Sequence, residues 1–141
     1  VSIQPPSASP CTFCPYRQDV PSGVWAENEY AKLPLYDVPT YEQPLGLFLC
    51  HLRDKNDVRA QVCGGWAGCH DGDDLMAVRI ALASRQITME TARAICNFVS
   101  PVPLFASGAE AAAHGMGEIE DPSPEARRAI DKIASIRTDL T

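Results

Sequence analysis

The sequence predicts an α+β fold: a small metal-stabilised domain with a cysteine-bearing β-hairpin in an irregular N-terminal half and a helical C-terminal half. Three observations predict it. Both tryptophans, all four tyrosines and five of the six cysteines lie between residues 11 and 72. That stretch offers few long periodic segments to pack, so it calls for another organiser. Residues 73–141, by contrast, carry repeated apolar residues at helical spacing, each run bounded by capping residues and proline.

The elements follow in order. Residues 1–10, rich in Pro and Ser, read as a flexible arm ahead of one domain, 11–141, which divides into a metal-organised segment, 11–72, and a helical segment, 73–141. A short helix is expected from Ala26 to Leu33, with Glu27 and Glu29 in its first turn and Pro34 as its stop. Gly46 to His51 reads as a buried strand, residues 53–57 as a charged turn, and Val58 to Cys63 as the returning strand, broken by Gly64-Gly65. Asp71-Gly72-Asp73-Asp74 opens the next helix, which carries Leu75, Val78 and Leu82 on its apolar face. Thr88 caps another, burying Met89, Ala92, Ile95 and Cys96. Ser107 and Glu110 have capping-box spacing ahead of an alanine-rich helix ended by Gly115. Ser123-Pro124-Glu125 starts the last helix, with Ile130, Ile133 and Ile136 as its stripe.

Composition narrows the function classes. The chain has 141 residues, 45% of them hydrophobic and 21% charged, which places it among globular domains. No apolar run reaches the ~20 residues of a membrane helix, and the start lacks a basic and apolar leader, so a cytoplasmic protein without membrane association is expected. A net charge of -6 disfavours a broad phosphate-binding surface while leaving room for a local arginine patch. P-loop, GxSxG, HExxH and Rossmann motifs are absent from the sequence.

The cysteines carry the sharpest signal. Cys11-Thr12-Phe13-Cys14-Pro15 is a CxxC in which a tight turn aims both sulfurs at one point. If Cys50 and Cys63 face each other across the hairpin, their Cβ atoms stand ~5 Å apart. Thiolates ~2.3 Å from one ion lie ~3.8 Å from each other. The expected ligand set is therefore Cys11, Cys14, Cys50 and Cys63, and it depends on the hairpin register. Disulfides, a thiol redox motif at Cys11 and Cys14, and plain buried thiols compete with this reading. Cys69 and His70 are alternate ligands. His51 is a further alternate, although adjacent strand residues point to opposite faces, so a hydrogen-bonded histidine is the preferred reading there. Cys96 reads as a packing residue. Four thiolates suit Zn2+ first and a [4Fe–4S] cluster as the alternative. Arg17 and Asp19 read as an ion pair, the acidic run at Asp71 as helix capping rather than calcium binding, and Arg79, Arg85 and Arg93 as a solvated face.

Cys11-Thr-Phe-Cys14-Pro15-Tyr16-Arg17-Gln-Asp19, then Phe48-Leu-Cys50-His51, then Cys63-Gly-Gly-Trp66 resemble a family of small domains without assigned activity, found mainly in actinobacteria and their phages. Its opening is Cys-Pro-x-Cys-Pro-aromatic-Arg-x-Asp, and here Thr12 stands in place of the first of those prolines. The resemblance covers about residues 10–85. It implies Cys11, Cys14, Cys50 and Cys63 as the shared set and supplies no reaction.

The resulting expectation is a non-enzymatic interaction module with structural zinc, phage- or host-regulatory, whose partner is a protein or, through a local arginine patch, a nucleic acid. The competing expectations are a [4Fe–4S] protein with a redox, sensor or transcription-regulating role and a metal-dependent hydrolase. The hydrolase requires three protein ligands and an open position for water.

Overall fold

A computed structural model describes residues 2–53, 57–137 and 139. The described residues form helices α1 (Glu27–Tyr30), α2 (Gly64–Cys69), α3 (Met76–Ala83), α4 (Met89–Cys96), α5 (Gly108–Met116) and α6 (Pro124–Ile136), with three short 3-10 turns between them. The expected α+β class does not hold, because the described residues contain no sheet and no hairpin. The described residues hold three isolated bridges, of which only Leu49 with Val62 joins the two expected strands; the others pair Gln4 with Gln61 and Arg17 with Leu104. The tip of the expected hairpin, residues 54–56, lies outside the described residues.

The Leu49–Val62 bridge shows why the hairpin fails. Cys50 N donates to Gln61 O at 2.8 Å and Cys63 N donates to Phe48 O at 2.9 Å. The pairing ends there because Cys63 turns directly into α2, so the chain is diverted after two ladder bonds. Cys50 therefore stands opposite Gln61, and Cys63 opposite Phe48. The expected Cys50–Cys63 pairing is corrected to a diagonal two residues apart. An even offset keeps both on one face of the pleat.

Helix α2 replaces the expected glycine break. Gly64, Gly65 and Gly68 are poor helix formers, so propensity argues against it. Packing decides otherwise. A Cβ at Gly65 would overlap Cys14 Sγ and stand 2.8 Å from Tyr16 Cβ, and one at Gly68 would stand 2.7 Å from Leu104 Cδ1. The missing side chains let the helix axis press onto the cysteine knuckle. Cys63 Sγ caps it, accepting from Trp66 N at 3.4 Å.

An aromatic core surrounds this region. Tyr16, Trp25, Tyr30, Tyr36, Phe48 and Trp66 are all buried. Tyr36 meets Trp66 edge-on with centroids 5.4 Å apart, and Tyr16 meets Phe48 at 5.7 Å. Each such side chain contributes roughly 1.5–3 kcal/mol on burial. Six give gross stabilisation of the same order as a complete zinc site, on the order of 10 kcal/mol. The expected metal-stabilised α+β class is corrected because the described residues are helical, with no sheet or hairpin, and gather no three side chains as a metal-ready group.

The C-terminal half follows its caps. Thr88 Oγ1 accepts from Thr91 N, Ser107 Oγ from Glu110 N and Ser123 Oγ from Ala126 N, each at 3.1 Å. Gly115 does not end α5. It sits inside the helix, where a Cβ would collide with the Tyr30 ring. Asp37 reaches across 71 residues to accept from Gly108 N at 2.8 Å, and its other oxygen accepts from Ala109 N at 2.8 Å. Met89 is half exposed, not buried as its spacing suggests, because α4 turns Thr91, Ala92 and Ile95 inward instead. The 71–74 segment forms a 3-10 turn capped by Asp71 before α3 begins. Among the described residues no helix is long and apolar enough to cross a membrane.

Candidate functional site

The knuckle is a hydrogen-bonded turn. Cys14 N donates to Cys11 O at 3.0 Å, and Arg17 N donates to Cys14 O at 3.0 Å. Two side chains hold it from outside. Arg17 Nη1 donates to Pro10 O at 3.1 Å and to Cys11 O at 3.4 Å, and the same guanidinium is gripped by Asp19 at 2.8 and 2.7 Å. Trp25 Nε1 donates to Phe13 O at 2.8 Å. The carbonyls of Pro10, Cys11 and Phe13 are thus tied to rigid groups, which fixes where the two sulfurs point.

Cys14 and Cys63 meet at 3.7 Å between sulfurs, across 49 residues. The Cys11 thiol lies near enough to Cys14 and to Cys50 for each to shift its ionisation. Cys11 and Cys50 thus neighbour the Cys14–Cys63 pair. All six cysteines are free thiols. Among the described residues no three His, Cys, Asp or Glu side chains are already gathered as a metal-ready group. The arrangement is one close pair, Cys14 and Cys63, with Cys11 and Cys50 nearby, rather than a closed tetrahedron.

Three of these thiols, Cys11, Cys14 and Cys50, are held protonated. Hydrogen bonding to Cys14, together with burial, pushes the Cys11 thiol up to about 12, although its contact with Cys50 opposes this. Hydrogen bonding to Cys11 and burial raise Cys50. For Cys14, the contact with Cys11 pulls down, but Cys63 and burial together raise it. Clustered thiols resist ionisation because a second thiolate would sit beside the first in a dry place. A soft cation reverses this by replacing the protons.

The environment is asymmetric. Cys14, beneath Gly65 of α2, is 1% exposed and Cys63, the cap of α2, is 4% exposed, whereas Cys11 and Cys50 are half-buried. Cys11, Cys50 and Cys63 line a cleft of about 440 Å³ together with Arg53, Gln61 and Ser9. Arg53 makes a long bond of 3.4 Å to Gln61 Oε1 and lies close enough to favour the Cys50 thiolate.

The alternate ligands stand apart from these four cysteines. His51 Nε2 donates to Glu29 Oε2 at 2.7 Å, and the ring lies edge-on to Trp25. Its backbone oxygen accepts from Arg137 Nη1 at 2.6 Å. That is the hydrogen-bonded histidine of the preferred reading. Cys69 and His70 face a second cleft of about 550 Å³ with Asp37. His70 Nδ1 is 3.9 Å from Asp37 Oδ1, its Nε2 is buried without a partner, and burial lowers its pKa. Burial pushes Cys69 up to about 12, assisted by Asp37 and Glu110. Cys96 lies against Gly72, where a Cβ would stand 2.9 Å from its sulfur.

Sequence reasoning missed Gly65, Trp25 and Glu29. Gly65 had a signal, since a glycine pair directly after a cysteine is how a chain lets backbone approach sulfur. The partners of Trp25 and Glu29 are remote in sequence and had none.

The chain belongs to a family of unknown function, DUF6283, whose model matches residues 6–137. No curated protein and no solved structure matches it.

Proposed function

We propose that Cys11, Cys14, Cys50 and Cys63 bind one metal ion, Zn2+, in a protein that acts by binding rather than by catalysis. The observation that carries this is the 3.7 Å between Cys14 Sγ and Cys63 Sγ. It matches the ~3.8 Å edge of a tetrahedral zinc–thiolate site. A [4Fe–4S] cluster sets each thiolate on its own iron, further apart, so the same distance favours zinc over the cluster. Four thiolates leave no position for water, which argues against the hydrolase.

Leu35, Tyr41 and Leu45 stand exposed along one stretch, which supports a protein partner. An arginine-mediated nucleic-acid contact has weaker support, since Arg79 is turned back onto Asp73 O at 2.6 Å. Six free thiols support a reducing, cytoplasmic setting. The motif order from Cys11 to Trp66 supports an origin in actinobacteria or their phages.

The test is elemental analysis of the full chain purified without added metal and without air. One zinc per chain and no absorbance near 400 nm is the expected result. Brown protein containing iron and sulfide replaces zinc with the cluster. Metal-free protein that takes up neither sinks the reading.

A further inference from the structure

The second cleft, of about 550 Å³, lies between the 36–43 segment and the 69–75 segment, with Ala106 and Ser107 ahead of α5 closing one end. Its walls are tied together: Thr40 Oγ1 donates to Asp74 O at 2.7 Å, and Met76 N donates to Gln43 Oε1 at 3.1 Å. Three carboxylates line it, Asp37, Asp71 and Asp74, and no lysine or arginine does. Asp37 is rigidly placed. Each of its oxygens accepts one amide of α5 at 2.8 Å, which leaves a second lone pair on each for another donor. His70 gives an independent sign of a missing partner. Its side chain is 9% exposed, yet neither ring nitrogen has a hydrogen bond among the described residues. Nε2 is sealed in, whereas Nδ1 faces Asp37 Oδ1 across 3.9 Å, too far for a hydrogen bond. Burial favours the uncharged imidazole, so the ring does not neutralise Asp37. Buried polar groups are normally satisfied, and here a carboxylate and a ring nitrogen face each other with nothing to join them. The same stretch of chain is apolar and exposed. Val38 lines the cleft, and Leu35, Tyr41 and Leu45 stand out from the segment around it.

We propose that this cleft receives the guanidinium of an arginine on a partner protein, with apolar residues of the same partner segment resting on Val38, Tyr41 and Leu45. This rests on the reading above that the protein acts by binding a protein partner, and not on its zinc. A guanidinium carries a fixed positive charge and five donors in a planar fork. With the ring proton of His70 on Nε2, Nδ1 accepts one of those donors while Asp37 accepts another. Asp71 and Asp74 add the complementary field. A lysine ammonium answers the charge but lacks the fork, so arginine is the better fit to two acceptors held apart. The acidic cleft selects the partner segment and the apolar stretch supplies contact area, the usual division between charge and burial at an interface.

The experiment titrates the full nitrogen-15-labelled chain, as purified, with two synthetic peptides followed by NMR. One is acetyl-Gly-Leu-Arg-Leu-Gly amide, and the other has citrulline, which keeps the shape of arginine and loses its charge. The expected result is a dissociation constant at least tenfold lower for the arginine peptide, with amide shifts confined to residues 36–43, 69–75 and 106–107. Asp74→Asn, at an exposed position, should weaken the arginine peptide at least threefold without changing the citrulline peptide, and the rest of its spectrum shows that the fold is kept. Tyr41→Ser should weaken both peptides. Equal affinity for the two peptides overturns the arginine site while leaving the apolar stretch as a docking face. Shifts scattered over acidic residues elsewhere overturn it as well. Binding of neither peptide overturns the proposal and removes the support for a protein partner on this surface. Zinc content, measured on the same sample, decides the metal reading separately.

Discussion

Cys14 and Cys63 bring their sulfurs to 3.7 Å although one belongs to a turn near the start of the chain and the other caps a helix. That contact joins two otherwise separate devices, the arginine-clamped knuckle and the glycine-faced helix α2. Most of the testable consequences concern its neighbours.

Cys63→Ser separates the two roles of that residue. Serine binds soft metals weakly, so zinc content should fall from one per chain to well under half. As a helix cap, however, serine is at least as good as a thiol. With chelator present, the variant should therefore melt within a few degrees of the wild type or above it, and only the zinc-loaded proteins should differ. Elemental analysis beside thermal melts with and without chelator checks this. A large loss of stability in chelator would show that the core leans on Cys63 itself.

Gly65→Ala should be among the most damaging small substitutions. Its methyl group would overlap Cys14 Sγ and crowd Tyr16 Cβ. Overpacking in a rigid core costs about 1–3 kcal/mol, and the displaced atom belongs to the proposed ligand set, so zinc uptake should fall as well. Gly46→Ala is the control, since nothing lies within 4 Å of the added carbon. Urea unfolding of both variants beside the parent gives the comparison, and equal midpoints would refute the close-approach argument.

The Glu29–His51 pair predicts an acid limb. Hydrogen bonding to His51, helped by Lys32, holds the Glu29 carboxyl down at about 2 from an ordinary 4.5, against a partial burial that opposes it. A depressed carboxyl contributes stability that is present above its unfolded pKa and lost as pH falls through its folded value. Metal-free protein should therefore lose stability progressively between pH 4.5 and pH 2, and Glu29→Gln should flatten that part of the profile. Denaturant midpoints across this window decide it, and a profile unchanged in the variant removes the pair from the account.

Asp37→Ala should loosen the start of α5. Both carboxylate oxygens accept from its first amides, at Gly108 and Ala109. Losing such a cap costs about 0.5–2 kcal/mol. Asp37→Asn keeps one acceptor and should fall between the two. Hydrogen exchange at residues 108–111 should accelerate in Asp37→Ala, with little change in α6.

The cysteines and the helix starts were legible because their signals are local. Thr88, Ser107 and Ser123 cap the helices that their spacing announces, and a CxxC turn closes on itself whatever surrounds it. The hairpin was not legible. Alternation from Val58 to Cys63 marks a strand only if a partner runs alongside it, and Cys63 leaves the pairing to cap α2. Helix α2 was hidden for the complementary reason, since its glycines lower helical propensity while making possible the approach to Cys14 and Leu104 that stabilises it. Grouping the aromatics in one segment suggested a region short of a core, whereas their rings are that core. The cysteine contact lies partly beyond sequence reach as well, because Cys14 meets Cys63 only after the knuckle has been aimed by Arg17 and Trp25.

Because Cys63 both caps α2 and sets its first residue, the helix has a rotational phase counted from that sulfur. Each residue advances the helix by roughly 100°. One residue inserted between Cys63 and Gly65 would carry the bare glycine face away from Cys14 and swing a side chain into its place. A deletion would turn it the other way. The interval Cys63-Gly64-Gly65-Trp66 is thus closed to length change even where single substitutions are tolerated. Insertions and deletions in related chains should fall outside this interval.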